Sequence, residues 1–87
     1  FNPETEIRYA IPVNSFVTMK VYDVLGNEIR TLLEERSGSG SFSVRWDGNN
    51  TNGVSVASGS YLIRLNATPD EPGQPVFSAS QKLLLIR

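Results

Sequence analysis

Cysteine and histidine are both missing from this sequence. Without cysteine there can be no disulfide, no thiolate nucleophile and no Cys-ligated zinc or iron–sulfur site. Without histidine the commonest general base and metal ligand is gone. An excess of one charge sign is lacking too. Eight basic and nine acidic residues leave a net charge of −1, too little positive field to hold nucleic acid or an anionic membrane. No apolar run approaches the ~18 residues of a membrane span, and no basic-then-apolar signal opens the chain. The lack of cysteine is silent on compartment. The chain opens on Phe1 rather than methionine, which marks it as an expected piece of a longer protein. Nucleophile-elbow, P-loop and dinucleotide fingerprints are absent. The adjacent Glu34 and Glu35 sit in a polar stretch rather than as a rigidly separated catalytic pair. The expectation is no enzyme and no cofactor.

What is present suits one thin-cored domain spanning residues 1–87. Chains of this size bury roughly 60% of their unfolded surface. A 39% hydrophobic content supports packing, and 20% charged residues is too few for a disordered tail. The stretch Trp46–Leu65 organises the rest. Trp46 ends one alternating segment, the turn-rich loop Asp47–Gly53 follows, and after Gly59 comes the clearest strand. There Tyr61, Ile63 and Leu65 point one way, Leu62 and Arg64 the other. Trp46 and Tyr61 supply the largest apolar areas for a core shared by two sheets.

Taken in order, Phe1–Glu4 reads as an extended lead-in, since a residue before proline avoids helical angles. Ile7, Tyr9 and Ile11 form the inner face of a strand stopped by Pro12, and Val13-Asn14 turns the chain. Val17, Met19 and Val21 face inward on the next strand, with Phe16, Thr18, Lys20 and Tyr22 outward. Asp23–Asn27 is a turn, with Gly26 and Asn27 both suited to positive φ. Residues 28–34 fit a strand through Ile29, Thr31 and Leu33, or a helical turn through Ile29, Leu32 and Leu33. The short length prefers a strand. Glu34–Gly40 reads as a flexible connector. Phe42, Val44 and Trp46 face inward on the following strand. Residues 54–56 suggest a short edge strand. Thr68–Pro75 reads as a stiff exposed loop. On the last strand, residues 76–87, Phe77, Ala79, Leu83 and Leu85 fit one face while Leu84 and Ile86 load the other. The whole describes an all-β sandwich of about seven antiparallel strands.

Three stretches invite a site reading. Asp47–Gly53 is rich in side-chain oxygens, yet it has one carboxylate, and its glycine and the residue at the twelfth position do not match a helix–loop–helix calcium loop. Asparagine and glycine are also what any tight turn prefers, so no metal ligand is assigned there. Phe16 and Tyr22 lie on one strand face ~20 Å apart with polar residues between, a poor platform for carbohydrate. The outward face is more informative. Leu62, Leu84 and Ile86 fall outside the expected core, either as ordinary scattered residues or as a clustered contact surface.

With these residues placed, the chain resembles the immunoglobulin-like type A C-terminal sorting domain of the type IX (Por) secretion system. It is also similar to the Ig-like domain of the flagellar hook-cap scaffold protein. The matching segments are Phe1–Pro12, Val21–Ile29 with Thr31–Leu33, Trp46-Asp47-Gly48, Gly53, Val56–Tyr61 with Leu65, and Lys82–Arg87. The Thr68–Pro75 loop is longer than the resemblance leads one to expect, and an upstream Pro-Asn-Pro is missing. The resemblance implies an Ig-like C-terminal domain, the last of a longer secreted protein, that is non-catalytic. It implies export through the periplasm to the outer surface, with sorting and anchoring not separable from sequence. The expected partner-binding residues are Leu62, Lys82, Leu84, Ile86 and Arg87, with Lys82 and Arg87 as charged contacts. Expected partners are secretion machinery, a neighbouring domain of the same protein or a second copy, with no nucleic acid and no membrane insertion. The alternatives are a self-associating structural module of an extracellular assembly and, less favoured, a carbohydrate-binding module.

Overall fold

The computed structural model describes residues 4–87, so the expected lead-in over Phe1-Asn2-Pro3 lies outside the described residues. Six strands follow in order: β1 (Thr5–Ile11), β2 (Ser15–Tyr22), β3 (Glu28–Ser37), β4 (Gly40–Trp46), β5 (Gly59–Pro69) and β6 (Phe77–Leu85). Among the described residues β1 and β4 make a two-stranded sheet, and the other four make a second sheet in the order β3-β2-β5-β6. Every pairing is antiparallel. The sheets face each other across one core.

Period-two alternation builds that core. On β2, which is paired on both edges, Val17, Met19 and Val21 are at most 1% exposed. Across from them β5 buries Tyr61, Ile63, Leu65 and Ala67. The small sheet contributes Ile7, Ile11 and Trp46, and Leu85 closes one end. Burying each of the larger side chains stabilises the fold by about 1.5–3 kcal/mol. Trp46 stands edge-on to Tyr61 at 5.3 Å between ring centroids, which adds directional packing to the area they bury.

The mixed pattern over residues 28–34 has a structural cause. The β2–β3 register shifts between Met19 and Lys20 and again between Val21 and Tyr22, leaving Leu32 and Ile29 as extra residues on β3. Each bulge flips the alternation locally, so Ile29, Leu32 and Leu33 all pack against the core from one strand. The strand reading holds, with helix-like spacing produced by bulges.

Several expectations need correction. The strand count among the described residues is six, because residues 54–56 form only an isolated bridge between Asn49 and Ser55. Those residues fold back on their own loop, with Val56 N donating to Gly48 O at 3.0 Å. Glu34–Gly40 is not a flexible connector: β3 continues to Ser37, with Glu34 opposite Thr18 and Ser37 opposite Ser15. Only Gly38 and Ser39 link β3 to β4, and the side-chain oxygen of Asn14 accepts Ser39 N at 3.2 Å to fix that corner. Thr68 and Pro69 belong to β5, so the loop begins at Asp70. In the Asp23–Asn27 turn Gly26 alone has positive φ, at 85°, and Asn27 does not. The last strand ends at Leu85, leaving Ile86 and Arg87 beyond it.

Phe42, an expected inward residue, is exposed, and so are Phe77 and Ala79, which share a face of β6 with the buried Leu85. Their parity is correct, but two strands cannot cover four. β4 follows β3 through a two-residue corner and lies on that side of the large sheet, which leaves the first half of β6 without a facing strand.

Candidate functional site

On the outer face of the large sheet, strand register sets side chains in rows. Glu28, Tyr22, Leu62 and Lys82 form one row across all four strands. The next runs Thr31, Lys20, Arg64 and Ser80. Most charge here is already matched. Lys20 meets Glu28 at 3.0 Å, which raises the lysine pKa through that hydrogen bond. Arg64 lies over the Tyr22 ring at 5.7 Å, and Arg36 meets Asp70 at 2.9 Å. Lys82 is exposed and has no ion pair among the described residues.

Beyond the first row the face turns apolar. Leu84 sits opposite Ser60 and is 56% exposed, and Ile86, equally exposed, follows it past the strand end. Leu62 is half-buried beside them. The β2–β3 turn adds two residues that sequence reading missed, Val24 and Leu25, at 78% and 83% exposed. Val24 lines a shallow hollow of 210 Å³ together with Asp23, Ser60, Tyr61, Leu62 and Lys82. The result is one corner where Val24 of the turn, Leu62 of β5 and Lys82 of β6 line a common hollow, with Leu84 exposed further along β6. The overlooked signal was a pair of large aliphatics inside a turn that otherwise holds Asp, Gly and Asn.

Asp23 shapes this corner. Its carboxylate accepts Leu25 N at 3.0 Å, Asn27 N at 2.9 Å and the Asn27 side-chain amide at 3.1 Å. The backbone hydrogen bond from Asn27 is the largest cause holding its pKa below the usual aspartate range. With its donors satisfied by that carboxylate, the turn keeps Val24 and Leu25 pointing into solvent rather than refolding over them.

Arg87 is placed differently from the other expected contacts. Its Nε donates to Val56 O at 2.7 Å, its Nη2 to Gly48 O at 2.6 Å, and its backbone N to Ser58 Oγ at 3.0 Å. The guanidinium therefore holds the Asp47–Ser58 loop. Leu62 and Lys82 share the hollow, Leu84 and Ile86 are exposed further along β6 and past its end, and Arg87 belongs to the adjoining loop.

The oxygens of Asp47–Gly53 are turned toward the protein itself. Asp47 Oδ1 accepts Arg30 Nη1 at 2.7 Å and Asn49 N at 3.0 Å, while Asn50 Oδ1 accepts Asn52 N and Val54 N. The carbonyl of Asn49 accepts Trp46 Nε1 at 2.9 Å. These bonds make the loop a cap over the end of the core. Phe16 and Tyr22 remain on the outer face, with Tyr22 half-buried under Arg64 and Phe16 41% exposed.

Comparison with known proteins places this geometry. The model of the FlgD Ig-like domain matches residues 4–71. The fold is similar to FlgD from Xanthomonas campestris, which acts in hook capping for flagellar assembly, with TM-score 0.68 and 27% identity over 94% of this chain. It is also similar to dimeric latent PorU from Porphyromonas gingivalis, with TM-score 0.64 and 17% identity over 99% of this chain. The chain spans 55% of the first of those and 10% of the second. No curated protein matches it.

Proposed function

Because the chain belongs to the FlgD Ig-like domain family, we propose that it is a non-catalytic docking module that carries an attached polypeptide to an export or surface assembly. The observation that supports this reading is the hollow where Val24 and Leu62 flank Lys82, together with the exposed Leu84 and Ile86 at the end of β6. An exposed aliphatic cluster on a small sandwich, with one lysine unmatched among the described residues, has the composition of a protein contact surface. The resemblance of the ordered sequence segments to type IX sorting domains gives the finer assignment: sorting for outer-membrane export, followed by surface anchoring.

The test is export of a fused reporter in a host with type IX machinery. Removing Lys82–Arg87 also removes Leu85, which is 0% exposed, so truncation alone mixes recognition with folding. The paired surface change Lys82→Glu with Leu84→Ser leaves the core intact. It is expected to hold the reporter in the periplasm while Trp46 fluorescence stays native. Normal secretion of this variant and of the truncation would sink the sorting assignment.

The likeness to the hook-cap protein favours a second reading, in which the same corner packs against copies or neighbours in an extracellular assembly. It predicts concentration-dependent association in light scattering, lost in the same double variant.

A further inference from the structure

The asparagines of this fold are mostly committed to hydrogen bonds. Asn14 Oδ1 accepts Ser39 N, the Asn27 amide donates to Asp23, and Asn66 Oδ1 accepts Ser78 Oγ. In the loop that caps the core, Asn49 Nδ2 donates to Asp47 Oδ2, and Asn50 Oδ1 accepts the backbone amides of Asn52 and Val54. Asn52 differs. It is exposed, and its side chain makes no hydrogen bond among the described residues. It is also the asparagine that glycine follows. Gly53 has a φ of 78°, with open space where a Cβ would stand.

We propose that Asn52-Gly53 is a self-modification site whose reaction loosens the loop held by Arg87. The Gly53 backbone nitrogen, having lost its proton to hydroxide, attacks the side-chain carbonyl carbon of Asn52. That C–N bond closes a succinimide ring, the bond to the side-chain nitrogen breaks, and ammonia leaves with a proton from water. Water then opens the ring at either carbonyl, giving aspartate or isoaspartate. Glycine is needed because a Cβ would crowd the approach and restrict the backbone. The Gly53 N–H donates to Asn50 O at 2.9 Å and must first let go. One exposed bond of this kind slows the reaction by about tenfold at most relative to the unfolded chain. Isoaspartate lengthens the main chain between residues 52 and 53. The bonds that straddle this point are Asn50 N to Val54 O at 2.8 Å and Val54 N to Asn50 Oδ1 at 3.0 Å. Val56, just beyond, gives its carbonyl to Arg87 Nε, so the grip on the last residue slackens with them.

The test incubates the whole 87-residue chain in mildly alkaline buffer, native and in urea, with peptide mapping by mass spectrometry over time. Replacement of the amide by a carboxylate is expected at Asn52 on the order of tenfold sooner than at any other asparagine, since glycine alone leaves the following nitrogen open. It adds one negative charge to the chain's −1, so the product separates by ion exchange. Asn52→Gln keeps an uncommitted amide on a longer arm and is expected to abolish this early product while Trp46 fluorescence stays native. In the purified isoaspartate form, amide exchange at Val54 and Val56 is expected to quicken severalfold, with β2 and β5 unchanged. Three results would overturn the proposal: earlier reaction at another asparagine, a native chain still unmodified once the chain in urea has fully reacted, or an isoaspartate form whose Val54 and Val56 amides exchange as before.

Discussion

The guanidinium of Arg87 reaches back 39 positions to the carbonyl of Gly48, at 2.6 Å. With the bond to Val56 O it ties the last residue to the loop that caps Trp46. Replacing it with alanine is expected to cost about 1–3 kcal/mol, the range for charge-assisted hydrogen bonds lost from a partly buried site. Urea denaturation measures the loss, and faster amide exchange at Val56 locates it. Lysine should rescue little, because a point donor cannot span two carbonyls as the planar fork does.

Tyr61 donates its hydroxyl to Ala57 O at 2.6 Å while its ring packs on Trp46. Burial is the main cause of its raised pKa. Tyr61→Phe keeps the ring and removes the bond, for an expected loss of about 1 kcal/mol. A loss above about 3 kcal/mol by thermal or urea unfolding would show that the ring itself had moved.

Asp23 gives the turn a pH dependence of known sign. Its folded pKa lies below that of an unfolded aspartate, chiefly through the backbone hydrogen bond from Asn27. Its contribution is therefore complete above that unfolded value and is lost as pH falls through the folded one. An NMR titration of the Asp23 carboxyl is expected to show a midpoint under 3.8. Asp23→Asn should remove this component of the acid sensitivity, and a midpoint at or above the unfolded value would contradict the hydrogen-bonded turn.

Surface changes at the corner should leave stability nearly untouched. Val24→Ser and Leu84→Ser, at 78% and 56% exposed, are each expected to shift unfolding by less than about 0.5 kcal/mol. A cost of 2 kcal/mol or more at either would mean that the residue packs within the fold rather than facing a partner.

Much of the architecture could be read from alternation alone. β2 and β5 show it without interruption, so Val17, Met19, Val21, Ile63 and Leu65 were assignable to the core from spacing. The end of β3 was not legible, because an edge strand carries polar residues on positions that a central strand would fill with apolar ones, and EERS reads as a linker. Its bulges at Ile29 and Leu32 depend on the partner strand and leave no local mark. At the corner, parity puts Leu62 and Leu84 on the outer face, whereas Val24 meets Leu62 only through the folded turn. The role of Arg87 rests on a contact between distant segments, which no local pattern encodes.

The β2–β5 pairing, with Met19 opposite Leu65, has a consequence for how the molecule comes into being. A nascent chain emerging amino end first has the β2–β3 hairpin available early, while β1 waits for β4 and β2 waits for β5. Most of the apolar interior stays wet until the final third arrives, and collapse then joins remote segments in one slow step, on the order of milliseconds to seconds. Until that moment the unpaired strand edges and the apolar faces of β2 and β5 lie open to whatever surrounds the chain.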